Sequence, residues 1–398
     1  MPFFQTKLRP EDFVVTELLQ QDPPGVGDYH YILIEKVGLT TFLFLELMMK
    51  DFGLNRNMIG IAWLKDKHAI TRQWISISKR DVAKYIGGVN DFLDRMRKKG
   101  KVIKATYGER MLKLGDNAWN QFELLLVPAY ALVPELKKQI ETFLKSVEKT
   151  WVPNYFGEQR FGYGWTNWKI GFDLLSGTIR NIKWDKNTLT EKRFKVQAFA
   201  SFVFNAYLKE REKKWLLYTK IPGDVMTKDK TVVTWPVPWD DLTGATWEAG
   251  ELEQAVFKRV WLTDDVMKRF KTYGLFGIRR PIVLFPHGMQ FAWRGKNLFL
   301  SFSLPSGAYA TVIIDQIEKL LASSEHAKTL MPKAPIPGKG KKPLAAPVKD
   351  APKKPKDPTI NPYTGQKINQ DKAKTRAARA LKKKTRMEAK AKRDAEKK

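Results

Sequence analysis

The sequence predicts an α+β fold, on two observations. Short runs of alternating apolar and polar residues recur through the first 130 residues and again near residue 300, the pattern of half-buried strands. Between them lie segments with apolar residues at helical spacing, over 42–51, 134–149, 191–212 and 251–258. No internal repeat is visible.

Phe13, Val15 and Glu17 alternate with Val14 and Thr16, and His30 to Val37 forms a second alternating run. The stretch QQDPPGVGD over 20–28 reads as the connector between them. Thr40 and Thr41 are good N-caps for the helix over 42–51, and Gly53 fits the position after its end. The run from Met58 to Leu64 is too short for a buried helix and predicts a strand. Residues 71–78 alternate, with Trp74, Ser76 and Ser78 on one face and Ile75 and Ile77 on the other. Lys65 and Asp66 therefore fall in a bend between two strands, where a carboxylate can be aimed rigidly. Taken alone, the tetrapeptide KDKH is more often a charged surface turn.

Residues 82–100 predict helix broken at Gly87-Gly88. Val102–Leu114 and Trp119–Val127 predict paired strands, with Gly115-Asp116-Asn117 as the turn. Asn120 and Phe122 are two apart on the second of these and share a face. In 134–149, Pro134 suits a first turn, and Leu136, Ile140, Phe143 or Leu144, and Val147 form the stripe. The stretch WVPNYFGEQRFGYGWTNWKIG over 151–171 then breaks periodicity with four glycines and seven aromatics. A buried corner explains it, and so does a nucleotide-binding loop, because unpaired bases seek aromatic faces and Arg. The helix over 191–212 presents Val196, Phe199, Ala200, Val203, Phe204 and Tyr207, which is core first. Residues 213–300 predict short strands, turns and one helix. Leu298–Ser303 predicts a strand, 304–307 a turn, and Tyr309–Ile317 the lead into a final strand and helix.

The 398 residues contain no cysteine and four scattered histidines, so disulfides, thiol nucleophiles and clustered metal ligands are not expected. There is no apolar window long enough to span a membrane and no signal-like start, so neither membrane nor export is expected. No Gly-rich phosphate loop appears; GYG at 162–164 does not continue as GxGxxG. The formal net charge is +29, and residues 327–398 carry 23 Lys and Arg against 6 Asp and Glu. The rest of the chain is basic too. That distribution points to a polyphosphate partner. A Lys-rich solubilising surface would explain the body but explains the tail poorly. From 323 to about 362 Pro and Lys dominate, a composition that cannot offset its ordering entropy by burial. Residues 369–398, rich in Ala, Lys and Arg with no apolar stripe, predict a nascent helix that orders on RNA.

Four stretches resemble, in order, the TruD-type tRNA pseudouridine synthases. They are LKDKHA with QW following at 73–74, Asn120-Gln121-Phe122, VPNYFGEQRFG over 152–162, and LPSGAYAT over 304–311. The opening KLRPEDFVV from Lys7 is similar to the family's first strand. The resemblance covers about 5–318 and ends before the tail. It implies a pseudouridine synthase fold, with a mixed, mostly antiparallel sheet flanked by helices. It also implies a catalytic domain of 1–162 plus 301–322, an inserted α+β domain of 163–300, and a disordered basic tail of 323–398.

The implied activity is isomerisation of a uridine, in tRNA, to pseudouridine by base flipping and an essential aspartate. Asp66 matches that aspartate. Lys7 matches the cation that pairs with it, with the adjacent Lys65 as second candidate. Phe122 matches the ring that stacks on the base, and Asn120 a polar partner. Gln73, Phe156, Arg160 and Gly307 match wall and base-positioning residues. No cofactor or metal is implied, and a cytoplasmic monomer that binds RNA is expected, its tail contacting phosphates non-specifically. Trp63 and Trp119 depart from the family, which commonly has small residues there, and bear on which RNA is accepted. The alternative reading is a non-catalytic RNA-binding or RNA-chaperone protein on the same scaffold. A ribosome-associated structural protein fits the tail but not the aromatic body.

Overall fold

The computed structural model describes residues 2–63, 65, 69–182, 188–237 and 244–324. Asp66 and the tail beyond Ser324 lie outside the described residues. In chain order the elements are β1 (Phe4–Gln5), β2 (Phe13–Leu19), β3 (Tyr29–Val37), α1 (Thr41–Phe52), β4 (Gly60–Ile61), β5 (Ile70–Ser78), α2 (Lys79–Tyr85), α3 (Val89–Arg97), β6 (Lys101–Gly108), β7 (Asn117–Pro128) and α4 (Pro134–Ser146). There follow β8 (Val152–Pro153), α5 (Asn167–Ser176), α6 (Leu189–Lys213), β9 (Val225–Met226), β10 (Val233–Val237), α7 (Trp247–Arg259), α8 (Asp264–Lys268), β11 (Ile278–Pro281), β12 (Val283–Leu284), β13 (His287–Arg294), β14 (Asn297–Pro305) and α9 (Thr311–Ser323).

The main sheet runs β13-β14-β7-β2-β5-β3-β6, with β1 on β7 and β4 on β5. All its pairs are antiparallel except the central β2–β5 pair. The register puts Lys36, Thr71, Val15, Phe122 and Phe302 in one row across one face. Helices cover that face in two separate groups. Over β3 and β5, Ile32, Ile34, Ile75 and Ile77 pack with Phe44, Leu45 and Met48 of α1 and Phe92 and Met96 of α3. Over β7 and β14, Leu124, Leu126, Leu300 and Phe302 pack with Leu136, Ile140 and Leu144 of α4 and Ile313, Ile317 and Leu321 of α9. The two cores part at β2, and polar residues fill the gap.

Local signals set several boundaries. The Thr40 hydroxyl accepts from the Leu43 amide, and α1 ends on Gly53 at φ 69°. Thr188 and Glu191 form a reciprocal capping box that opens α6.

A second core is built from α5, α6, α7, α8 and the three-stranded sheet β11-β10-β9. Trp235 lies flat against Tyr207 at 4.5 Å, with Phe199, Val203, Phe204 and Phe270 around them. The pair β12–β8 ties the return of this region to the chain that leaves the main sheet.

Several expectations are corrected. The strands over 102–114 and 119–127 do not pair: β6 lies at an edge beside β3, and β7 sits between β2 and β14. The connection between them crosses the other face of the sheet. There Leu112 packs with Tyr31, Leu33 and Trp74, and its amide donates to the Ser76 hydroxyl at 2.8 Å. Among the described residues of the run 58–64, only Gly60–Ile61 is strand. Among the described residues no strand follows Tyr309; the chain enters α9 directly. Helices α5 and α8 are not legible among the aromatics and turns of the sequence. Gly171 is required in α5 because a Cβ there would lie 2.1 Å from the Lys195 carbonyl oxygen of α6. Residues 287–300, assigned above to the insertion, belong to strands of the main sheet.

Candidate active site

The gap between the two covering cores is polar because the strands place polar residues at three adjacent positions. Glu17 on β2 opposes Asn120 on β7, and Asn120 opposes Leu304 on β14. Gln73 on β5 opposes Ile34. Glu17, Gln73 and Asn120 are all buried. Into this gap comes Lys65. Its ammonium lies 3.2 Å from Glu17 Oε1 and donates to Asn120 Oδ1. Glu17 Oε2 accepts from the Trp74 amide at 2.9 Å. Burial raises the Glu17 pKa above the carboxylate range; Lys65, the Trp74 amide and the more distant Lys36 oppose that rise. Lys36, itself buried, donates to the Thr71 hydroxyl and the Leu39 carbonyl, each at 2.8 Å.

The backbone that leads into the KDKH motif is held at Trp63 and at Lys65. Gln73 Nε2 donates to the Trp63 carbonyl, and the Lys65 amide donates to Thr41 Oγ1 at 2.8 Å. Thr41 in turn donates to Gln73 Oε1 at 3.0 Å. So the backbone at Lys65 is fixed by α1 and β5, and its side chain by β2 and β7.

Phe122 lies on this face, 6% exposed, edge-on to Phe13 at 6.2 Å and tilted against Phe302 at 5.8 Å. Lys7, at φ 58°, places its ammonium 4.1 Å from the centroid of Phe13. It is therefore on the Phe122 side of the gap; the ion pair read between Lys7 and Asp66 falls on an undescribed residue. Trp119 is one residue out of phase with Asn120 and lies on the opposite face, edge-on to His287 at 4.6 Å. It does not line the gap, whereas Trp63 stands beside it at the motif bend.

Phe156 and Gly307 join through one side chain that the sequence does not single out. Arg280, where the chain returns from the second core, lies 4.1 Å from the Phe156 centroid. It donates to the Gly307 carbonyl at 3.0 Å and to the Asn154 carbonyl at 3.3 Å, and also to Asn154 Oδ1. Burial holds its pKa down at about 10. Arg280 thus links the VPNYFGEQRFG loop to the LPSGAY turn, where Gly307 sits at φ 81°. Phe156 is further held by Phe204 and Tyr309, and its amide donates to Asn205 Oδ1 at 2.8 Å. Arg160 donates to Ser201 at 3.2 Å and Gln197 at 3.1 Å, both on α6, and burial lowers its pKa.

A family model described as tRNA pseudouridine synthase D (TruD) matches residues 4–185 and 225–317. The chain belongs to this family. A relative named tRNA pseudouridine synthase D from Thermus thermophilus is 31% identical over 339 residues, 80% of this chain and 89% of that one. A relative of the same name from Pseudoalteromonas atlantica is 28% identical over 333 residues, 78% of this chain and 91% of that one. Among solved structures, that of a putative tRNA pseudouridine synthase D from Methanosarcina mazei aligns at TM-score 0.58 with 20% identity, covering 80% of this chain and 94% of that one. It shares the fold, a mostly antiparallel sheet flanked by helices.

Within this TruD framework, two residues escape the sequence reading, Glu17 and Arg280. A signal exists for the first: Glu17 continues the Phe13, Val15 series on a face that is otherwise apolar, and a carboxylate there needs a buried partner. Arg280 offers only a basic pair before Pro281, and no spacing tells which Arg turns inward. Among the described residues no group of His, Asp or Glu is arranged to hold a metal ion, and no helix is long and apolar enough to cross a membrane.

Because Phe122 is buried among rings, Phe122→Ala is expected to cost about 3–5 kcal/mol of stability, whatever else the ring does. Phe122→Leu, which keeps most of the volume, separates the roles. It should fold, yet lose the equivalent of about 1–3 kcal/mol in activity if the ring stacks on a base. Full activity in a folded Phe122→Leu protein would show that the ring serves only the core.

Proposed function

We propose that this chain is an RNA pseudouridine synthase that isomerises a uridine in tRNA. In that reaction the N1 glycosidic bond breaks, the base rejoins the ribose through C5, and the C5 proton leaves while N1 gains one. No electrons are exchanged and the formula is unchanged, so the chemistry as written calls for no cofactor. Asp66 is the essential carboxylate, acting on the flipped nucleotide either by attack or by taking a sugar proton. Lys7 neutralises it. Asn120 and Phe122 hold the base, while the clamp of Gln73, Thr41 and Lys65 aims the motif bend. Phe156 and Gly307, joined by Arg280, form with Arg160 the wall against which the RNA sits. Catalysis belongs to the main sheet and its helices, and the second core between β8 and β12 is the inserted domain.

The observation that carries this reading is the seat of the motif bend. In a TruD family member, Lys65 is locked by Glu17 and by Asn120, which shares its strand with Phe122, into a polar gap of the covered sheet face. Incubation of the purified protein with unmodified tRNA, followed by mapping of pseudouridine, tests it. A new pseudouridine at one position is the expected result; tRNA bound but unchanged would leave only an RNA-binding protein.

The tail is proposed to add affinity without choosing the site. Its 23 Lys and Arg make sequence-independent phosphate contacts, which strengthen binding and steepen its salt dependence. A chain ending at Ser324 should modify the same uridine, bind tRNA more weakly and show a shallower slope of log affinity against log salt. An unchanged slope would reduce the tail to a solubilising segment, and a changed site would show that it selects the target.

A further inference from the structure

Helix α6 ends in a turn that is built against its own sequence. The Leu216 amide donates to the Arg211 carbonyl at 2.8 Å, and the Trp215 amide to the Glu212 carbonyl at 3.1 Å. That pair of bonds is the Schellman motif, and it puts Trp215 at the left-handed position where glycine is the usual residue. Trp215 stands there at φ 60°. Elsewhere the chain uses glycine for this purpose, at Gly53, Gly177 and Gly274. Helix α7 ends in the same motif with Trp261 at φ 55°, but that ring is partly covered and faces Phe172. Trp215 is 90% exposed. A bulky, exposed residue in strained backbone is explained neither by stability nor by folding.

The surroundings say what such a ring meets. Tyr218, 61% exposed, follows three residues later, and Lys213, Lys214 and Lys220 flank the pair, all exposed and without an ion pair among the described residues. The nearby acids are already engaged: Glu210 with Arg259, Glu212 with Lys319 and Tyr155, and Asp224 with Arg211. The loop is rigid, because the buried Arg211 guanidinium donates to the carbonyls of Leu216 and Thr219 and to both oxygens of Asp224. Trp247, 77% exposed and at φ 46°, opens α7 beside this loop, where the Thr246 amide donates to the Gly223 carbonyl and the Ala249 amide to that of Pro222. Rigid exposed rings among exposed ammonium groups are the chemistry that receives unpaired nucleotides.

We infer that Trp215, with Tyr218, Trp247 and the lysines around them, is a stacking platform for an unpaired nucleotide of the RNA substrate, separate from the catalytic gap. This rests on the activity proposed above and deepens it. Helix α6 also carries Asn205, which holds Phe156, so at about 1.5 Å per residue the platform lies ~15 Å along the axis from that wall. Trp215 and Tyr218 fall within 186–224, between the two stretches that match the family model.

Trp215→Gly is the test, because it separates strain from function. Glycine relieves the left-handed backbone, so the variant should melt higher than the wild type, while tRNA affinity falls by roughly 5- to 100-fold. Single-turnover product formation at saturating enzyme should be unchanged, and Trp215→Gly/Trp247→Ala should lose more affinity than either alone. A variant that binds tRNA as tightly as the wild type overturns the platform, whatever its melting temperature. Affinity is read without product. So a wild type that makes no pseudouridine while its Trp215→Gly variant loses affinity would sink the activity and leave the platform standing. Product from a wild type whose variant binds equally well would do the reverse.

Discussion

Asp66→Asn is expected to abolish pseudouridine formation, with single-turnover rates falling by roughly 10⁴-fold or more, the upper end for a positioned acid or base. The change keeps shape and hydrogen-bonding capacity while removing the charge and the nucleophilic oxygen. tRNA affinity should stay near that of the wild type, since phosphate contacts and stacking supply it. Lys65, the residue before Asp66, is fixed through its amide by Thr41 and through its ammonium by Glu17 and Asn120. Product from the asparagine variant at close to the wild-type rate would remove Asp66 from the chemistry.

How much of this is legible in the sequence differs by residue. The face shared by Asn120 and Phe122 follows from strand parity, a local property, and β7 places both as parity requires. The caps of α1 at Thr40 and Gly53 are equally local. What fails is long-range. A Gly-Asp-Asn turn between two alternating runs reads as a hairpin. Nothing local says that the connection will cross the back of the sheet so that Leu112 can cover Trp74. The same holds for the site. The motif makes Lys65 the second candidate to pair with Asp66; among the described residues its ammonium is already committed to Glu17, 48 positions earlier, through a parallel pairing of β2 with β5 that no sequence period encodes. Arg280 and Gly307, 27 residues apart, meet only because the second core returns the chain to its point of departure.

The second large effect concerns that buried pair. Lys65→Met keeps the length of the stem and removes the ammonium. It leaves Glu17 buried without its principal partner, and loss of one member of a buried pair costs about 3–5 kcal/mol. Urea unfolding should show the midpoint fall with the slope unchanged. The loss should also depend on pH in a defined direction. With the ammonium gone, only the Trp74 amide and Lys36 still oppose the rise that burial imposes on Glu17, so its folded pKa climbs further above the unfolded value. Below the unfolded pKa both states hold the proton and the penalty is absent. As pH rises from there towards the folded pKa, the unfolded state ionises first, so stability is progressively lost. Lys65→Met should therefore be closest to the wild type near pH 4 and furthest from it at neutral pH. Adding Glu17→Gln should recover much of the loss at neutral pH, because a neutral amide keeps a hydrogen bond to Trp74 without a buried charge. A Lys65→Met protein as stable as the wild type at pH 7, or one destabilised equally at pH 4 and pH 7, would show that Glu17 does not depend on Lys65 for its place in the fold.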